Sequence, residues 1–451
     1  MRDSLAQSKQ KPPLLRIFAF FLPLGASATL VTASHVIINS TLARSEHPET
    51  IISSYAIALS LFSILDRSTG LLRQSCSALV RDRVSFQAMS HIANLLILST
   101  ILFSLLVSYT PLGVGIFRYL FGEQESLLQP TIHVFRILMF VSVFSGLRCL
   151  YHGIIITNFH TKWLTIGMVF RLGVMYAISL GFILKWGVHD GRVGAVIFMA
   201  GMMVEATVAV WEGKTLLRKM PRKLPGHNVE KPKQVFAFFR PMLYSSFIAV
   251  VIGPSINAML GKTADVPLSI ASYAVALNVT QLMTSFFTYI HQIALNFYKR
   301  EAHAVKTFML IVCLIPTALN FMLVHTPAGP WFLHHIMGLQ HELLTATLEA
   351  IGVFMLMTLV VPWLDFANGL VMLRGQTKIM VWSQSANAAL TVLVLLLCVW
   401  LAPGLNGNIG ALAQSLGMLA ELSFVTYALR RGRANALIWQ MKQDHNRAMP
   451  K

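Results

Sequence analysis

The sequence predicts an all-α polytopic membrane protein with about twelve transmembrane helices in two parallel six-helix bundles. Of its 451 residues, 55% are hydrophobic and only 12% are charged, whereas a soluble domain carries about a quarter charged residues. Apolar runs such as Leu95–Val107 and Ala388–Ala402 recur along the chain, and about 20 mostly apolar residues suffice to cross a bilayer. The second half of the chain also repeats the pattern of the first half.

Twelve apolar segments of sufficient length define the predicted helices. In chain order they cover residues 17–40, 51–80, 88–109, 131–155, 163–186, 193–215, 236–259, 268–298, 307–325, 345–371, 379–401 and 409–429.

The distribution of Lys and Arg predicts the orientation of these helices, because cytoplasmic loops of membrane proteins are enriched in basic residues. Basic residues follow every even-numbered helix, from Arg81 and Arg83 to Arg430, whereas the opposite loops are mixed or acidic and include Glu46 and Asp265. Both termini are therefore predicted to be cytoplasmic, in a chain that crosses the cell (inner) membrane many times. The same bias explains the net charge of +18, so we expect no nucleic-acid partner.

A near-constant offset relates the two halves of the chain. With a shift of 218 positions the segment Ser54–Leu59 falls on Ser272–Leu277, and with a shift of 216 positions Glu205 falls on Glu421. Polar residues match as well as apolar ones, which distinguishes this pattern from the chance similarity of hydrophobic helices. Since six helices separate the copies, both have the same orientation, and parallel repeats of this kind are a transporter architecture.

The repeat also predicts the domain boundaries. We expect an N-terminal six-helix lobe over residues 1–215, a basic cytoplasmic linker over 216–234, a C-terminal six-helix lobe over 235–430 and a cytoplasmic tail over 431–451.

Several short motifs resemble the progressive ankylosis protein family. They are Phe21–Gly25 and Ser54–Leu61 in the first two helices, Arg81–Arg83 after them, and the stretch from Pro403 to Ser423 around the last helix. That family belongs, with the multidrug and toxic compound extrusion (MATE) proteins and the lipid-linked oligosaccharide flippases, to one superfamily of exporters. The resemblance implies two six-helix bundles around a central cavity, alternating access and, for the ankylosis family, an anionic cargo such as pyrophosphate, citrate or nucleotide.

Polar stripes on helices 2 and 8 predict a substrate cavity, because ionisable residues in spanning helices are costly and are functional candidates by default. The candidates on these helices are Asp66, Arg67, Arg73, Gln74, Thr284, Thr288, His291 and Gln292. The offset of 218 positions places Arg73 on His291 and Gln74 on Gln292. The alternative is that Asp66 and Arg73 form an internal ion pair that only packs the bundle.

Three acids in the apolar helices are candidates for ion coupling or for the cavity. Glu205 and Glu421 lie about mid-helix in helices 6 and 12, where a carboxyl can take up and release a proton or coordinate a cation. We predict an ion-coupling role for both, with H⁺ or Na⁺ as the ion; the alternative is a protonated Glu that hydrogen-bonds a neighbouring helix. Asp365 in helix 10 is a further cavity candidate, and Pro362 nearby suggests a kink that opens backbone groups to the cavity.

Arg148 and Arg171, in helices 4 and 5, give the N-terminal lobe more basic than acidic groups within its helices. A guanidinium group binds phosphate or carboxylate through two parallel hydrogen bonds, so an arginine-lined cavity favours an anionic cargo. The alternative is that these arginines pair with Asp66 or Glu205, or extend towards lipid headgroups.

These features predict a secondary exporter that works by alternating access and carries an organic or phosphorylated anion or a drug-like compound. The alternative is a flippase for a polyprenyl-linked lipid intermediate. The sequence contains no Gly-rich phosphate loop and no Gly-x-Ser-x-Gly motif, so we predict neither ATP hydrolysis nor another enzymatic activity. We expect no organic cofactor and no metal site, and a monomer whose partners are the bilayer and a small-molecule or lipid-linked substrate.

Overall fold

The structure of the chain, a computed structural model, describes residues 12–120, 125–337, 339 and 341–448. The described residues form helices and turns and contain no β-strand. Twelve helical segments among them are long and apolar enough to cross a membrane, which confirms the predicted fold class. The chain divides into two compact units, Met1–Leu243 and Tyr244–Lys451.

The described part of the first unit forms six long helices. They are α1 (Pro13–Leu42), α2 (Pro48–Leu79), α3 (Arg83–Tyr109), α4 (Glu125–Thr157), α5 (Lys162–Gly181) and α6 (Arg192–Lys219). A short helix, Pro111–Gly115, and a π-helical turn, Ile116–Leu120, follow α3, and a second π-helical turn, Phe182–Trp186, extends α5. The next helix, α7 (Pro232–Leu260), begins in the first unit and ends in the second.

In the second unit, the residues that the structure describes form five further spans. They are α8 (Val266–Ser285), α9 (Ala302–Val312 and Ile315–His325), α10 (His341–Val353 and Met355–Leu373), α11 (Lys378–Leu401) and α12 (Gly407–Ala448). Short helices at His291–Phe297 and Ala328–Trp331 lie between them. Helix α12 continues through most of the predicted tail, of which residues 449–451 lie outside the described residues.

The prediction of one continuous helix over residues 268–298 is wrong. Helix α8 ends at Ser285, the chain turns, and a new helix begins at His291. The hydroxyls of Ser285 and Thr288 donate to backbone carbonyls three residues earlier, each at 2.7 Å, which competes with the helical hydrogen-bond ladder. The backbone N–H of His291 donates instead to the carboxylate of Asp365, at 2.8 Å, so a side chain satisfies the start of the new helix.

Helix α9 is also interrupted, at Cys313 and Leu314, where a single helix over 307–325 was predicted. Pro316 explains this break, because proline lacks the N–H group that would donate to the carbonyl of Val312. Helix α10 deviates only at Phe354 and continues through Pro362.

Each unit has its own hydrophobic core. In the first unit, Tyr55 and Phe135 are fully enclosed where α2 packs along α4. In the second unit, Tyr273 and Phe354 take part in the core formed by α8, α10 and α12, with their ring centroids 5.9 Å apart. The two tyrosines are repeat partners at the offset of 218 positions.

The internal repeat is visible in the contacts of matched glycines. A Cβ atom on Gly153 would lie 2.5 Å from the Cβ atom of Cys76, and one on Gly369 would lie 2.8 Å from that of Ala294. Cys76 and Ala294 are themselves repeat partners, 218 positions apart. Three further pairs of glycines make matched contacts in the two units. Gly191 contacts Ser54 as Gly407 contacts Ser272, Gly194 contacts Tyr55 as Gly410 contacts Tyr273, and Gly201 contacts Met175 as Gly417 contacts Thr391. The duplication therefore preserves where the helices of each unit cross.

The loop after α6 is fastened to the loop between α2 and α3. The Asp82 carboxylate accepts hydrogen bonds from the backbone N–H groups of Ser85, at 2.8 Å, and Leu224, at 2.9 Å, and the N–H of Arg83 donates to the carbonyl of Pro221 at 3.1 Å. Burial opposes the charged form of Asp82, but the N–H groups of Leu224 and Ser85 outweigh it and hold the pKa of this carboxyl below its ordinary value.

Replacing Gly369 with Ala should destabilise the second unit by about 1–3 kcal/mol, the usual cost of overpacking. The new methyl group would lie 2.8 Å from the backbone oxygen of His291, so the backbone must move. Gly352→Ala is the matched control on the same span, because its nearest neighbour is a side-chain atom of Val324 at 3.7 Å. Thermal unfolding in detergent should show a lower Tm for the first variant only; equal Tm values would contradict the close packing at Gly369.

Replacing Asp82 with Ala should free the loop over residues 220–231, so that trypsin cleaves after Arg222 or Lys223 several-fold faster. Asp265→Ala is the matched control, since Asp265 also caps a helix, through Leu268 N at 3.0 Å, but lies in the other unit. Equal cleavage rates would contradict the fastening role.

The stabilisation that Asp82 provides should also depend on pH. Because its pKa is lowered in the folded chain, the stabilisation is complete above the ordinary Asp pKa of about 3.9 and is lost as the pH falls through the lowered value. The difference in Tm between the wild type and Asp82→Ala should therefore be constant from neutral pH to pH ~5 and shrink below it. A difference that grows on acidification would contradict this assignment.

Candidate functional site

Each unit buries one glutamate of the repeat. Glu205 on α6 is 1% exposed and Glu421 on α12 is 5% exposed. We call their surroundings the N-terminal acid centre (Glu205, Arg148, His152 and Arg171) and the C-terminal acid centre (Glu421, Asn368, Gln384 and Asn387). These two centres hold the matched ionisable positions that the sequence analysis identified on helices 6 and 12.

In the N-terminal acid centre, two arginines bind one carboxylate. Arg171 on α5 donates from Nη1 to Glu205 Oε2 at 2.8 Å, and Arg148 on α4 donates from Nη1 to Glu205 Oε1 at 3.1 Å. His152, one turn after Arg148, places Nε2 4.0 Å from Glu205 Oε1. The carboxylate therefore joins α4, α5 and α6, and its charge is more than balanced by two guanidinium groups.

The position of Arg171 is fixed by its apolar surroundings. Its guanidinium carbon lies over the ring of Phe198, 5.2 Å from the ring centroid, a geometry that attracts a cation to an aromatic face. Gly201 makes room for the stem, since a Cβ atom there would come within 3.1 Å of Arg171 Cγ. With only 2% of its surface exposed, Arg171 depends on Glu205 for charge compensation.

In the C-terminal acid centre, amides take the place of the arginines. Asn387 on α11 donates from Nδ2 to Glu421 Oε2 at 2.7 Å. Gln384, with its amide nitrogen facing the carboxylate, lies 3.1 and 3.2 Å from the two oxygens, and Asn368 on α10 lies close enough to the carboxylate to interact with it. Among the described residues, no cationic side chain forms an ion pair with Glu421.

The two centres are repeat partners with different chemistry. At the offset of 216 positions, Arg171 corresponds to Asn387 and His152 corresponds to Asn368. Both centres keep the glutamate carboxylate, a glycine one turn before it (Gly201 or Gly417) and a hydrogen-bond donor on the fifth helix of the repeat. The donor is the cation Arg171 in the first unit and the neutral Asn387 in the second. A carboxylate buried without a compensating cation costs several kcal/mol, and among the described residues Glu421 lacks the guanidinium partners that Glu205 has.

A third polar cluster lies where α8 is broken. His291 Nδ1 is 3.0 Å from Asp365 Oδ1, and Gln292 Nε2 is 3.0 Å from His291 Nε2. Because Gln292 donates to Nε2, we assign the His291 proton to Nδ1, where it faces the Asp365 carboxylate. Asp365 is 24% exposed on its side chain, so this cluster combines a buried imidazole with a partly accessible acid.

The remaining candidates of helix 2 form a smaller set of contacts in the first unit. Asp66 accepts a hydrogen bond from Ser145 Oγ on α4 at 3.0 Å. The backbone carbonyl of Arg73 faces Gly153. The side chain of Arg73 lies close enough to His152 to affect the imidazole electrostatically. Arg67 is exposed and Gln74 is half-buried.

The candidates of helix 8 that precede the break use their hydroxyls locally. Thr284 is buried and donates to the carbonyl of Thr280 at 2.9 Å, whereas Thr288 is exposed. Both hydroxyls therefore shape the end of α8, and the cluster of His291, Gln292 and Asp365 holds the ionisable groups of this region.

Sequence reasoning missed four members of the acid centres. They are His152, Asn368, Gln384 and Asn387. Neutral amides in a spanning helix are less conspicuous than charged residues, so neither Gln384 nor Asn387 stood out. The signal was nevertheless present, because shifting Arg171 by the repeat offset of 216 positions points directly to Asn387.

Comparisons with known proteins identify the fold. The chain superimposes on the eukaryotic MATE transporter AtDTX14 with a TM-score of 0.75 and 14% identity, covering 92% of this chain and 94% of that one. It superimposes on an outward-facing multidrug resistance MATE family transporter of the MOP superfamily with a TM-score of 0.73 and 14% identity, over 94% and 97% of the two chains.

A third structure with this fold is a MOP superfamily transporter from Pyrococcus furiosus, whose binding pocket is described as having reverse polarity. Its TM-score is 0.72 at 13% identity, over 93% of this chain and 96% of that one. Neither a protein-family model nor a curated protein sequence matches the chain. The chain therefore has the MATE transporter fold along nearly its whole length, which confirms at the level of fold the MATE-type resemblance seen in the sequence.

The two centres should respond differently to loss of their charge. Glu205→Gln removes the compensation of the buried Arg171 and should cost about 3–5 kcal/mol, as is typical for a broken buried ion pair. Glu421→Gln should leave the Tm nearly unchanged, because a glutamine oxygen can still accept from Asn387. Thermal unfolding of the two purified variants compares repeat partners directly; a loss of Tm in Glu421→Gln as large as in Glu205→Gln would contradict the assigned asymmetry.

Proposed function

We propose that this chain is a secondary exporter that works by alternating access between two six-helix lobes. The observation that carries the proposal is the MATE transporter fold over 92–94% of the chain, combined with an internal repeat whose matched acids are buried in both halves. Two parallel repeats that move against each other are a common design of secondary transporters. The count of twelve candidate spans among the described residues favours an exporter over the lipid flippases that carry two further helices.

We assign ion coupling to the C-terminal acid centre. Glu421 is held by Asn387 and other amides and has no ion-pair partner among the described residues. A group of this kind can exchange a proton or a Na⁺ ion as its surroundings change, and the carboxylate and amide oxygens present are ligands that hard cations prefer. Glu205 is instead neutralised by Arg148 and Arg171, so it holds its helices together and does not exchange an ion.

We assign an anionic cargo to the transporter on the basis of charge. The N-terminal acid centre contains two guanidinium groups and one carboxylate, and Arg73 lies close enough to His152 of this centre to affect it electrostatically. The excess positive charge favours phosphate or carboxylate groups, which arginine binds in a bidentate manner. Pocket polarity varies among proteins of this fold, as described for the Pyrococcus furiosus transporter, so an anion is compatible with the architecture.

The coupling assignment predicts that Glu421→Gln abolishes gradient-driven transport in proteoliposomes while the protein still inserts and folds. Facilitated exchange of the cargo without a gradient should persist, because only the coupling step is removed. Glu349→Gln is the matched control, since Glu349 lies in the same unit, where it is exposed and accepts from Asn408 at 3.2 Å. Full gradient-driven activity of Glu421→Gln, or equal loss in Glu349→Gln, would rule out the assignment.

The cargo assignment predicts that inside-out vesicles accumulate citrate or pyrophosphate and exclude cationic dyes. Uptake should be measured with proton and sodium gradients applied separately, against vesicles that lack the protein. Accumulation of the dyes in place of the anions would overturn the anion assignment without affecting the proposed coupling site.

A further inference from the structure

One edge of the buried Arg171 guanidinium group makes no hydrogen bond to the described residues. Arg171 uses Nη1 alone, which donates to Glu205 Oε2 at 2.8 Å and to Met202 Sδ at 3.0 Å. Among the described residues its Nε is buried without a partner, and Nη2 makes no hydrogen bond either. Nε and Nη2 lie on the same side of the planar group, and such an edge binds a carboxylate or phosphate through two parallel hydrogen bonds. Arg171 therefore keeps a bidentate edge in addition to its bond with Glu205.

The hydroxyl of Tyr55 on α2 is a second buried donor near this edge. Tyr55 is 1% exposed, and its Oη has no hydrogen-bond partner among the described residues. Arg171 lies close enough to Tyr55 to affect the hydroxyl electrostatically. A buried donor that is left unpaired is destabilising, so an acceptor that reached both Tyr55 and the edge of Arg171 would satisfy two groups at once.

His35 on α1 is the more accessible group near Arg171. It is half-buried, and within the described part of the chain neither ring nitrogen makes a hydrogen bond. Its ring centroid lies 5.9 Å from that of Phe198, the same ring that lies 5.2 Å from the guanidinium carbon of Arg171. Arg171 also affects His35 electrostatically. Side chains of α1 and α2 that can donate hydrogen bonds therefore both lie within electrostatic range of one buried cation.

The second unit has different chemistry at the matched positions. There the matched tyrosine, Tyr273, donates from Oη to Gln414 Oε1 at 2.6 Å. At the offset of 216 positions Gln414 corresponds to Phe198, and at the offset of 218 positions Gly253 corresponds to His35. The first unit thus lacks the acceptor for its tyrosine hydroxyl and has an imidazole where the second unit has a glycine. Together with the arginine in place of an asparagine on the fifth helix, these differences all add groups that suit an anion.

We propose that Arg171, Tyr55 and His35 form a site for an oxyanion, namely a phosphate or carboxylate group. Nε and Nη2 of Arg171 donate to two of its oxygens, and the Tyr55 hydroxyl and a ring N–H of His35 donate as well. An inorganic cation does not suit the site, because a guanidinium group is always charged and carries no acceptor. The site deepens the proposed function, since it names where an anionic cargo is held, and the choice of the cargo as the source of the oxyanion rests on that function.

Binding of phosphate and citrate to the full-length chain in neutral detergent tests the site. The rise in Tm is measured at constant ionic strength, with chloride as the reference salt, and both oxyanions should raise the Tm of the wild type. Tyr55→Phe removes a hydroxyl without a protein partner, so it should keep the Tm in chloride and weaken the apparent affinity for the oxyanions about tenfold. His35→Leu should weaken this affinity as well.

Tyr273→Phe is the matched control in the other unit. Because Gln414 loses its partner, this variant should lower the Tm in chloride, yet it should bind the oxyanions with wild-type affinity. The proposal is overturned by any of three results: no rise of the wild-type Tm beyond that in chloride, wild-type affinity in Tyr55→Phe, or an equal loss of affinity in Tyr273→Phe.

Transport of citrate in proteoliposomes identifies the source of the oxyanion. A higher KM in Tyr55→Phe than in the wild type assigns the site to the cargo, whereas weaker binding with an unchanged KM assigns it to a resident anion. If the wild type binds citrate through Tyr55 but does not transport it, the site stands and the proposed cargo is contradicted. If it transports citrate while Tyr55→Phe retains full affinity, the cargo stands and the site is contradicted.

Discussion

The structure depends on one electrostatic constraint: a charge buried in the bilayer must be compensated by the groups around it or by a bound ion. Glu205 and Glu421 occupy the same position in two copies of one six-helix unit, and each is enclosed by the fourth, fifth and sixth helices of its copy. In the first unit the compensation is built in, because Arg148 and Arg171 bind the carboxylate directly. In the second unit amides surround the carboxylate, and no cationic side chain among the described residues pairs with it.

This difference gives the two halves of a duplicated protein different charges at matched positions. The frame is shared, since Gly201 and Gly417 make the same close contacts with repeat-related partners. The chemistry diverges at one position of the fifth helix, where Arg171 in the first copy corresponds to Asn387 in the second. An ion-paired glutamate fixes its helices, whereas an amide-bound glutamate can change its charge. Under the proposed function, the second lobe couples the ion and the first lobe keeps an excess of positive charge for the cargo.

The sequence was sufficient for the features that depend on composition and periodicity. It predicted twelve spans, the parallel repeat and the pair Glu205 and Glu421, because each leaves a mark on hydropathy or on the offset. It did not predict the features in which tertiary contacts override the local helical pattern of the sequence. The residues from 268 to 298 match the pattern of one helix, and nothing in them indicates that the helix restarts where the backbone N–H of His291 donates to the carboxylate of Asp365, seventy-four positions away. The sequence likewise left open whether Arg171 pairs with Asp66 or with Glu205, since the choice requires the distances between helices.

The central claim is that Glu421 exchanges an ion while Glu205 does not, and infrared difference spectroscopy of the purified chain tests it most directly. Changes in pH or in Na⁺ concentration should alter the carboxyl bands of the wild-type protein. The account predicts that Glu421→Gln removes this change, and that Glu205→Gln retains it at a temperature where this variant is folded. A change that persists in Glu421→Gln and disappears in Glu205→Gln would contradict the account.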